Sequence, residues 1–215
     1  YGELFSTMMP ENAPWVEYEP GNPVEQDQKQ AAEQDLEQFE VAIARAIRAS
    51  NFYDEGPTAF QDAVVGTVAM WADRPALSLP INFEAVPISE VYLRLGPRGI
   101  EDRFRCKKYD YADLPVLFPR ASFDRETADK IKNSKGTASV QWGFWRDYSD
   151  PSNPIWLQRI RVDGKSIGLD VELGEEGSCP LLIGRFNPVP GSPWGRGPAV
   201  RMLPTLRVLD EVTRM

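Results

Sequence analysis

At 215 residues the chain is long enough for one large domain or two small ones and for an ordinary buried core. A hydrophobic share of 42%, with six Trp, ten Phe and seven Tyr, excludes a disordered or fibrous chain. The net charge of −8 argues against a broad DNA-gripping face, and the absence of histidine removes the commonest general base and transition-metal ligand.

Tyr1 is not an initiator Met, and YGELFSTMMP lacks the basic start and uninterrupted apolar stretch of a signal peptide, so the chain is expected to begin partway through a longer protein. No apolar run approaches the roughly 20 residues of a membrane helix. The acidity is concentrated at the front: residues 1–50 carry a net −7 and residues 51–215 a net −1. From Leu181 on, five Arg stand against Asp210 and Glu211.

The Pro-rich start reads as a short turn followed by an extended piece, WVEYE, carrying Trp15. From Glu25 to Ser50, Ala32, Leu36, Phe39, Ile43 and Ala46 recur at the spacing of one helical face. The expectation is one continuous helix packed through Leu36, Phe39, Ile43 and Ile47, with its acidic side in solvent. Acids at its amino end and Arg45 and Arg48 at its close suit the helix dipole. Asn51-Phe52-Tyr53 ends this helix, and Asp54-Glu55-Gly56-Pro57 reads as a turn that places Pro57 at a first helical position. In TAFQDAVVGTVAMWAD, Val64, Val65, Thr67 and Val68 favour a strand, whereas Phe60, Val64 and Trp71 suit a helix. A second helix is expected here, with Gly66 permitting close packing.

LSLPINFEAVPISEVYLRL alternates in short strand-like runs broken by Pro80 and Pro87. Gly96-Pro97-Arg98-Gly99 turns it into IEDRFRCKKYDY, a hairpin. SFDRETADKIKN is the next expected helix, with Ser122 as its cap. SVQWGFWRDY, PIWLQRIRVD and SIGLDVELG form a meander joined by Asp-Pro-Ser-Asn-Pro and Asp163-Gly164. LLIGRFNPV is the last strand, and Pro198 to Met215 reads as helical with Pro204 interrupting it. The fold class is therefore α+β: a long amino-terminal helix and a second helix packed on antiparallel strands and a meander, ending in a helix.

The search for chemistry returns no catalytic residue, no metal site and no cofactor. Gly191, Gly195 and Gly197 build neither GxxxxGK nor GxGxxG, and no GxSxG elbow, histidine-containing triad or EF-hand loop is present. Glu101-Asp102 and Glu175-Glu176 read as solvated neighbours rather than a glycosidase pair. Cys106 and Cys179 lie in no CxxC pair and read as free thiols. Trp142, Trp145 and Trp156 on adjacent strands offer a sugar-stacking platform. An acidic, Trp-rich carbohydrate-binding β module is thus the alternative reading, against core or subunit contacts for the same rings.

Several segments, taken in order, resemble the head-to-tail connector (portal) proteins of short-tailed bacteriophages. They are LFSTMMPENAPWVEYE with Trp15, a long acidic helix, SNF at Ser50, Asn51 and Phe52, a helix holding Gly66 and Thr67, and PINFEAVPISEVYLRLGPRGIEDRFRC. The far end adds Arg185 in an Arg-Phe strand, the loop Gly195-Arg196-Gly197-Pro198, and a helix with Leu203 and Pro204. The fit is weakest between Asp110 and Asp150.

The resemblance implies a virion structural protein, assembled in the bacterial host cytoplasm, and no enzyme. Its copies would close a ring of about twelve at one capsid vertex. That ring would meet terminase, scaffold or capsid proteins and tail adaptor proteins, and double-stranded DNA would pass through it without sequence-specific binding. No membrane is implied. The chain would be chiefly the wing, with residues 1–109 as amino-terminal helices plus a β-hairpin and 110–215 as a β-rich part leading into a helix toward the tunnel. Because much of the family's assembly surface would lie outside it, the segment alone is expected to be a monomer or weak oligomer. The Gly195–Pro198 loop would be a structural junction, with its glycines in backbone angles closed to other residues and Arg196 reaching a carboxylate or backbone carbonyls. The rival role for Arg196 is contact with DNA phosphate.

Overall fold

A computed structural model describes residues 2–13, 15–19, 26–73 and 80–213. The chain forms two compact units. The first takes the residues up to Val86, Leu182–Gly184 and the segment from Gly197 on; the second takes Pro87–Leu181 and Arg185–Arg196. The expected boundary at 109/110 does not separate them. It falls at the end of β4 (Gly99–Asp110), which pairs from Asp102 to Asp110 with β5 (Thr137–Asp147).

The first unit opens with α1 (Gly2–Met8), where only a turn was expected. Leu4 and Phe5 open no repeating pattern across seven residues, but Phe5 is buried among Phe52, Tyr53 and Phe60, so tertiary packing holds this short helix. WVEYE is not part of a β-strand. The long helix is α2 (Gln26–Arg48), as its periodicity predicts; Glu25 lies outside the described residues, and Ser50 falls in the turn that follows. The packing face needs correction at Phe39, which is 53% exposed and meets the ring of Tyr18 edge to face.

The expected second helix over residues 58–73 is overturned. α3 (Phe52–Ala59) begins immediately after Asn51, so Pro57 lies inside it rather than at its start. A 3-10 turn at Asp62–Val64 follows, and Thr67–Asp73 is strand β1. Gly66, at φ 139°, breaks the helix in a conformation that L side chains rarely adopt. Beyond it the β-branched Thr67 and Val68 enter a sheet ordered β2-β1-β9, with β2 at Asn82–Ala85 and β9 at Leu181–Arg185. Met70 faces Ala85 and Asp73 faces Asn82 in the antiparallel β1–β2 pair. The core of this unit gathers Phe5, Phe52, Ala59, Met70 and Phe83. Its last element, α6 (Pro198–Thr213), runs uninterrupted through Pro204, contrary to expectation; the missing N–H removes one bond toward Val200 without ending the helix.

The second unit is one antiparallel sheet ordered β3-β4-β5-β6-β7, with β3 at Val91–Gly96, β6 at Ile155–Val162 and β7 at Lys165–Ser166. β8 (Val171–Gly174) also pairs with β6. The predicted hairpin is β3–β4, closing at Gly96 and Gly99. The β6–β7 turn has Asp163 at φ 50° and Gly164 at φ 80°, the two positive values that a tight hairpin requires. One face of the sheet is apolar: Val140, Trp142, Phe144, Trp156, Ile160 and Val162 are buried on it. Its cover includes Tyr111, α4 (Leu114–Leu117) and Phe118, with Phe118 and Tyr109 both against Trp142. α5 (Arg125–Asn133) takes Asp124, not Ser122, as its N-cap; the Ser122 amide instead donates to the Ile167 carbonyl at 2.9 Å.

Candidate functional site

The strands decide the fate of the tryptophans. Trp142 lies opposite Arg105 and Ile160, and Trp156 opposite Arg146, all on the buried face; Trp145, three residues from Trp142, must project from the other face. Trp142 and Trp156 are 8% and 1% exposed, so the three rings form no platform for a sugar. Arg103 and Arg146 stand over the Trp156 ring at 4.6 and 4.8 Å, and Arg105 over Trp142 at 5.7 Å. Arg105 also pairs with Glu90 at 3.0 Å, and Arg103 donates to the Leu181 carbonyl at 2.7 Å. These contacts lock a core.

Titratable groups point the same way. Glu101 is buried and accepts the Tyr148 hydroxyl at 2.6 Å and the Arg98 amide at 3.1 Å, which hold its carboxyl below the usual range. Among the described residues the displaced carboxylates are Glu101, Asp124, Glu126, Asp147 and Asp150, and all move downward, the opposite of a poised general acid. No group of His, Cys, Asp or Glu among the described residues could hold a metal ion. Cys106 and Cys179 are free, and burial pushes both thiols up.

The residues that carried the resemblance gather at joints. In the first, the Ser50 hydroxyl donates to the Ile47 carbonyl at 2.5 Å and accepts the Phe52 amide at 3.2 Å, tying the end of α2 to the start of α3. Asn51 donates to the Phe83 carbonyl and accepts the Phe83 amide, both at 2.7 Å, so its side chain imitates a strand partner on the free edge of β2. Glu55, one turn on, accepts the Ala85 amide at 2.8 Å. Phe52 sits among Phe5, Tyr53 and Phe83, with the Trp15 ring stacked on it at 5.9 Å and 13°. Trp15 donates its indole N–H to the Tyr53 hydroxyl at 3.3 Å.

The second joint holds Gly66, Thr67, Gly197 and Pro198. Thr67 is buried where β1 begins, and Pro198 is the first residue of α6. The Gly197 amide donates to the Val65 carbonyl at 2.8 Å. A Cβ on Gly197 would stand 2.2 Å from the Val64 oxygen. Neither Gly195 nor Gly197 has a positive φ, so space rather than backbone angle requires glycine at 197. The loop before it is closed by a bridge between Pro188 and Gly195, by the Arg196 amide on the Asn187 carbonyl at 2.8 Å, and by Arg185 on the Ser192 carbonyl at 3.3 Å. The Arg196 side chain is exposed and has no hydrogen bond or ion pair among the described residues, so the expected reach to a carboxylate or carbonyl is not made. Leu203 and Pro204 are exposed on α6.

Two surfaces escaped the sequence reading. Along α6, Met202, Leu203, Val208, Leu209 and Val212 are all exposed, leaving the helix apolar and uncovered over most of its circumference. Between α2 and the segment at residues 15–18 runs an apolar groove of about 350 Å³, lined in part by Trp15, Val16, Tyr18, Val41, Ile43 and Ile47. The periodicity of α2 and the helical character of α6 were legible in the sequence; which of their faces lacks cover was not.

Among the described residues no helix is long and apolar enough to cross a membrane. A search of curated proteins finds no match. Residues 2–215 match the family model described as bacteriophage head to tail connecting protein.

Proposed function

This chain belongs to the bacteriophage head to tail connecting protein family, a structural family of the virion, and from that membership we propose that it is a subunit of the phage portal ring. Family membership carries oligomeric assembly and association with head and tail components. In the finer reading the ring closes by a heterologous contact repeated about twelve times, stands at one capsid vertex, receives the packaging motor and later the tail, and lets DNA pass.

The observation that best supports assembly is α6, whose described residues from Val200 to Thr213 are all exposed although many are large and apolar. A helix of this composition in a free monomer would invite aggregation; in an assembly it is covered. The overall acidity suits a conduit, since few phosphate contacts leave DNA free to slide. On this reading the second joint fixes where α6 leaves the sheet of the first unit, and Gly195–Pro198 is a structural junction.

Electron microscopy of the protein expressed from its complete gene tests the proposal. Closed rings with a central channel are expected. A monomer at every concentration, with no particles in infected cells, removes the ring reading.

A further inference from the structure

We propose that the open face of the second unit's sheet binds single-stranded nucleic acid, stacking bases on Phe104 and Trp145 and holding phosphates on Arg161 and Lys108. The inference does not depend on the ring reading, because it concerns one unit of one copy.

Strand register assembles the site. Residues paired directly across strands share a face, and the pairs Tyr92–Phe104, Phe104–Gly143, Gly143–Arg159 and Gln141–Arg161 all lie on the face opposite Trp142 and Ile160. Trp145, two residues from Gly143, joins them. Phe104, Gln141, Gly143, Trp145, Arg159 and Arg161 line one hollow of about 300 Å³, at the lower end of the range for small-ligand sites. Gly143 leaves room for the Phe104 ring, which comes within 3.1 Å of where a Cβ would stand. Phe104 and Tyr92 are 38% and 57% exposed. Trp145 is held in place: the Arg159 guanidinium stands 5.6 Å from its ring centroid and is itself fixed by Asp170 at 2.7 and 2.8 Å. Exposed rings set on a sheet face are a stacking platform for unpaired bases, whatever their sequence.

Charge selects the ligand. Two rows beside the rings cross β4, β5 and β6, Cys106–Gln141–Arg161 and Lys108–Ser139, and they hold two cations and no acid. Arg161 and Lys108 are exposed, and neither has an ion pair among the described residues. Acids close by are engaged: Glu90 by Arg105, Asp163 by the Tyr111 hydroxyl, Asp102 by Arg94 and Asp170 by Arg159. Asp110, Asp147 and Glu172 lie at the ends and edge of the face. Free cations beside exposed rings suit a planar, anionic ligand better than a neutral sugar, whose hydroxyls also need free acceptors. From Tyr92 on β3 to Arg161 on β6 the face spans three strand spacings, about 14 Å, so a strand fits it rather than a single nucleotide. A duplex keeps its bases stacked inside and cannot offer them to the rings. With two phosphate contacts on a chain of net charge −8, binding is weak and sensitive to salt.

The test uses the protein from its complete gene and a fluorescently labelled oligothymidylate, with anisotropy read at low salt. Phe104→Ala should weaken binding about tenfold and leave the salt dependence unchanged. Arg161→Gln should lower the slope of log affinity against log salt by about 0.7, the share of one phosphate contact on a single strand. Circular dichroism checks each fold, and Tyr92→Ala, on the more exposed ring, takes the place of Phe104→Ala if that variant unfolds. The proposal is overturned by no binding at low salt or by binding that neither variant changes. It is equally overturned if a duplex, thymidine monophosphate or a neutral oligosaccharide displaces the label as well as the unlabelled strand does.

Discussion

Replacing Gly197 by Ala adds one carbon where the structure has no room for it. The new Cβ would stand 2.2 Å from the Val64 oxygen, 2.5 Å from the Val64 carbonyl carbon and 2.6 Å from the Val65 carbonyl carbon. All three are backbone atoms, so no rotamer change relieves the clash; either the turn before β1 or the start of α6 must move. Overpacking of this kind costs about 1–3 kcal/mol. Movement also strains the 2.8 Å bond from the Gly197 amide to Val65, worth about 1 kcal/mol. The sum is about 2–4 kcal/mol, which for a chain of this size lowers the melting temperature by about 4–16 °C. Gly177 is the control, since a Cβ there meets nothing within 4 Å, and Gly177→Ala should stay within about 0.5 kcal/mol of wild type. Thermal melts followed by circular dichroism and tryptophan fluorescence compare the three. If Gly197→Ala melts with the control, the close approach of Gly197 to the β1 turn is not what requires glycine there.

Phe52→Ala, which empties the centre of the aromatic cluster, should cost about 3–5 kcal/mol in urea unfolding, whereas Phe39→Ala on the exposed side of α2 should cost under about 1 kcal/mol. Asn51→Leu keeps the shape but removes both bonds to Phe83, and about 1–3 kcal/mol of stability should go with them, read in the same experiment. Asp124, held by the Lys165 ammonium first and the Thr127 hydroxyl second, should titrate near pH 2 rather than at its ordinary 3.8, and carboxyl NMR should show the midpoint return upward in Lys165→Met. Because the folded value is the depressed one, the Asp124 contribution to stability is complete above about pH 3.8 and disappears as the pH falls through about 2. Arg196→Ala should leave the melt within about 0.5 kcal/mol, because the side chain has no partner among the described residues; a large drop in stability would show a contact beyond these.

Local pattern accounts for what the sequence revealed. The four-and-three spacing in α2, the Gly-Pro-Arg-Gly turn between β3 and β4 and the Asp163-Gly164 hairpin each depend on neighbours within a few residues, and each appears where the pattern places it. Residues 58–73 depend on partners far along the chain. Phe60, Val64 and Trp71 fit a helical spacing, but β1 has β2 on one side and β9, more than a hundred residues later, on the other, and that pairing overrides the spacing. Phe39 shows a different gap: periodicity identifies a face without saying whether anything covers it. The tryptophans were more readable than the platform reading allowed, because residues three apart on a strand must point to opposite faces.

The joints explain why a sequence so poor in chemical motifs still has a recognisable order of segments. Ser50, Asn51 and Phe52 act together only because Asn51 meets β2, 32 residues away, while Phe52 receives Trp15 from the opposite direction along the chain. Gly66 and Thr67 likewise become one feature with Gly197 and Pro198 only in the folded unit. Such residues are constrained by space and hydrogen bonding, not by reactivity, so a search for bases, nucleophiles and phosphate loops passes over them. Their geometry fixes how α2 is delivered to the sheet and how α6 leaves it, and α2 and α6 are the helices that carry the uncovered apolar surfaces. A change at a joint should therefore reach assembly through the placement of these helices, even where no joint residue touches another subunit.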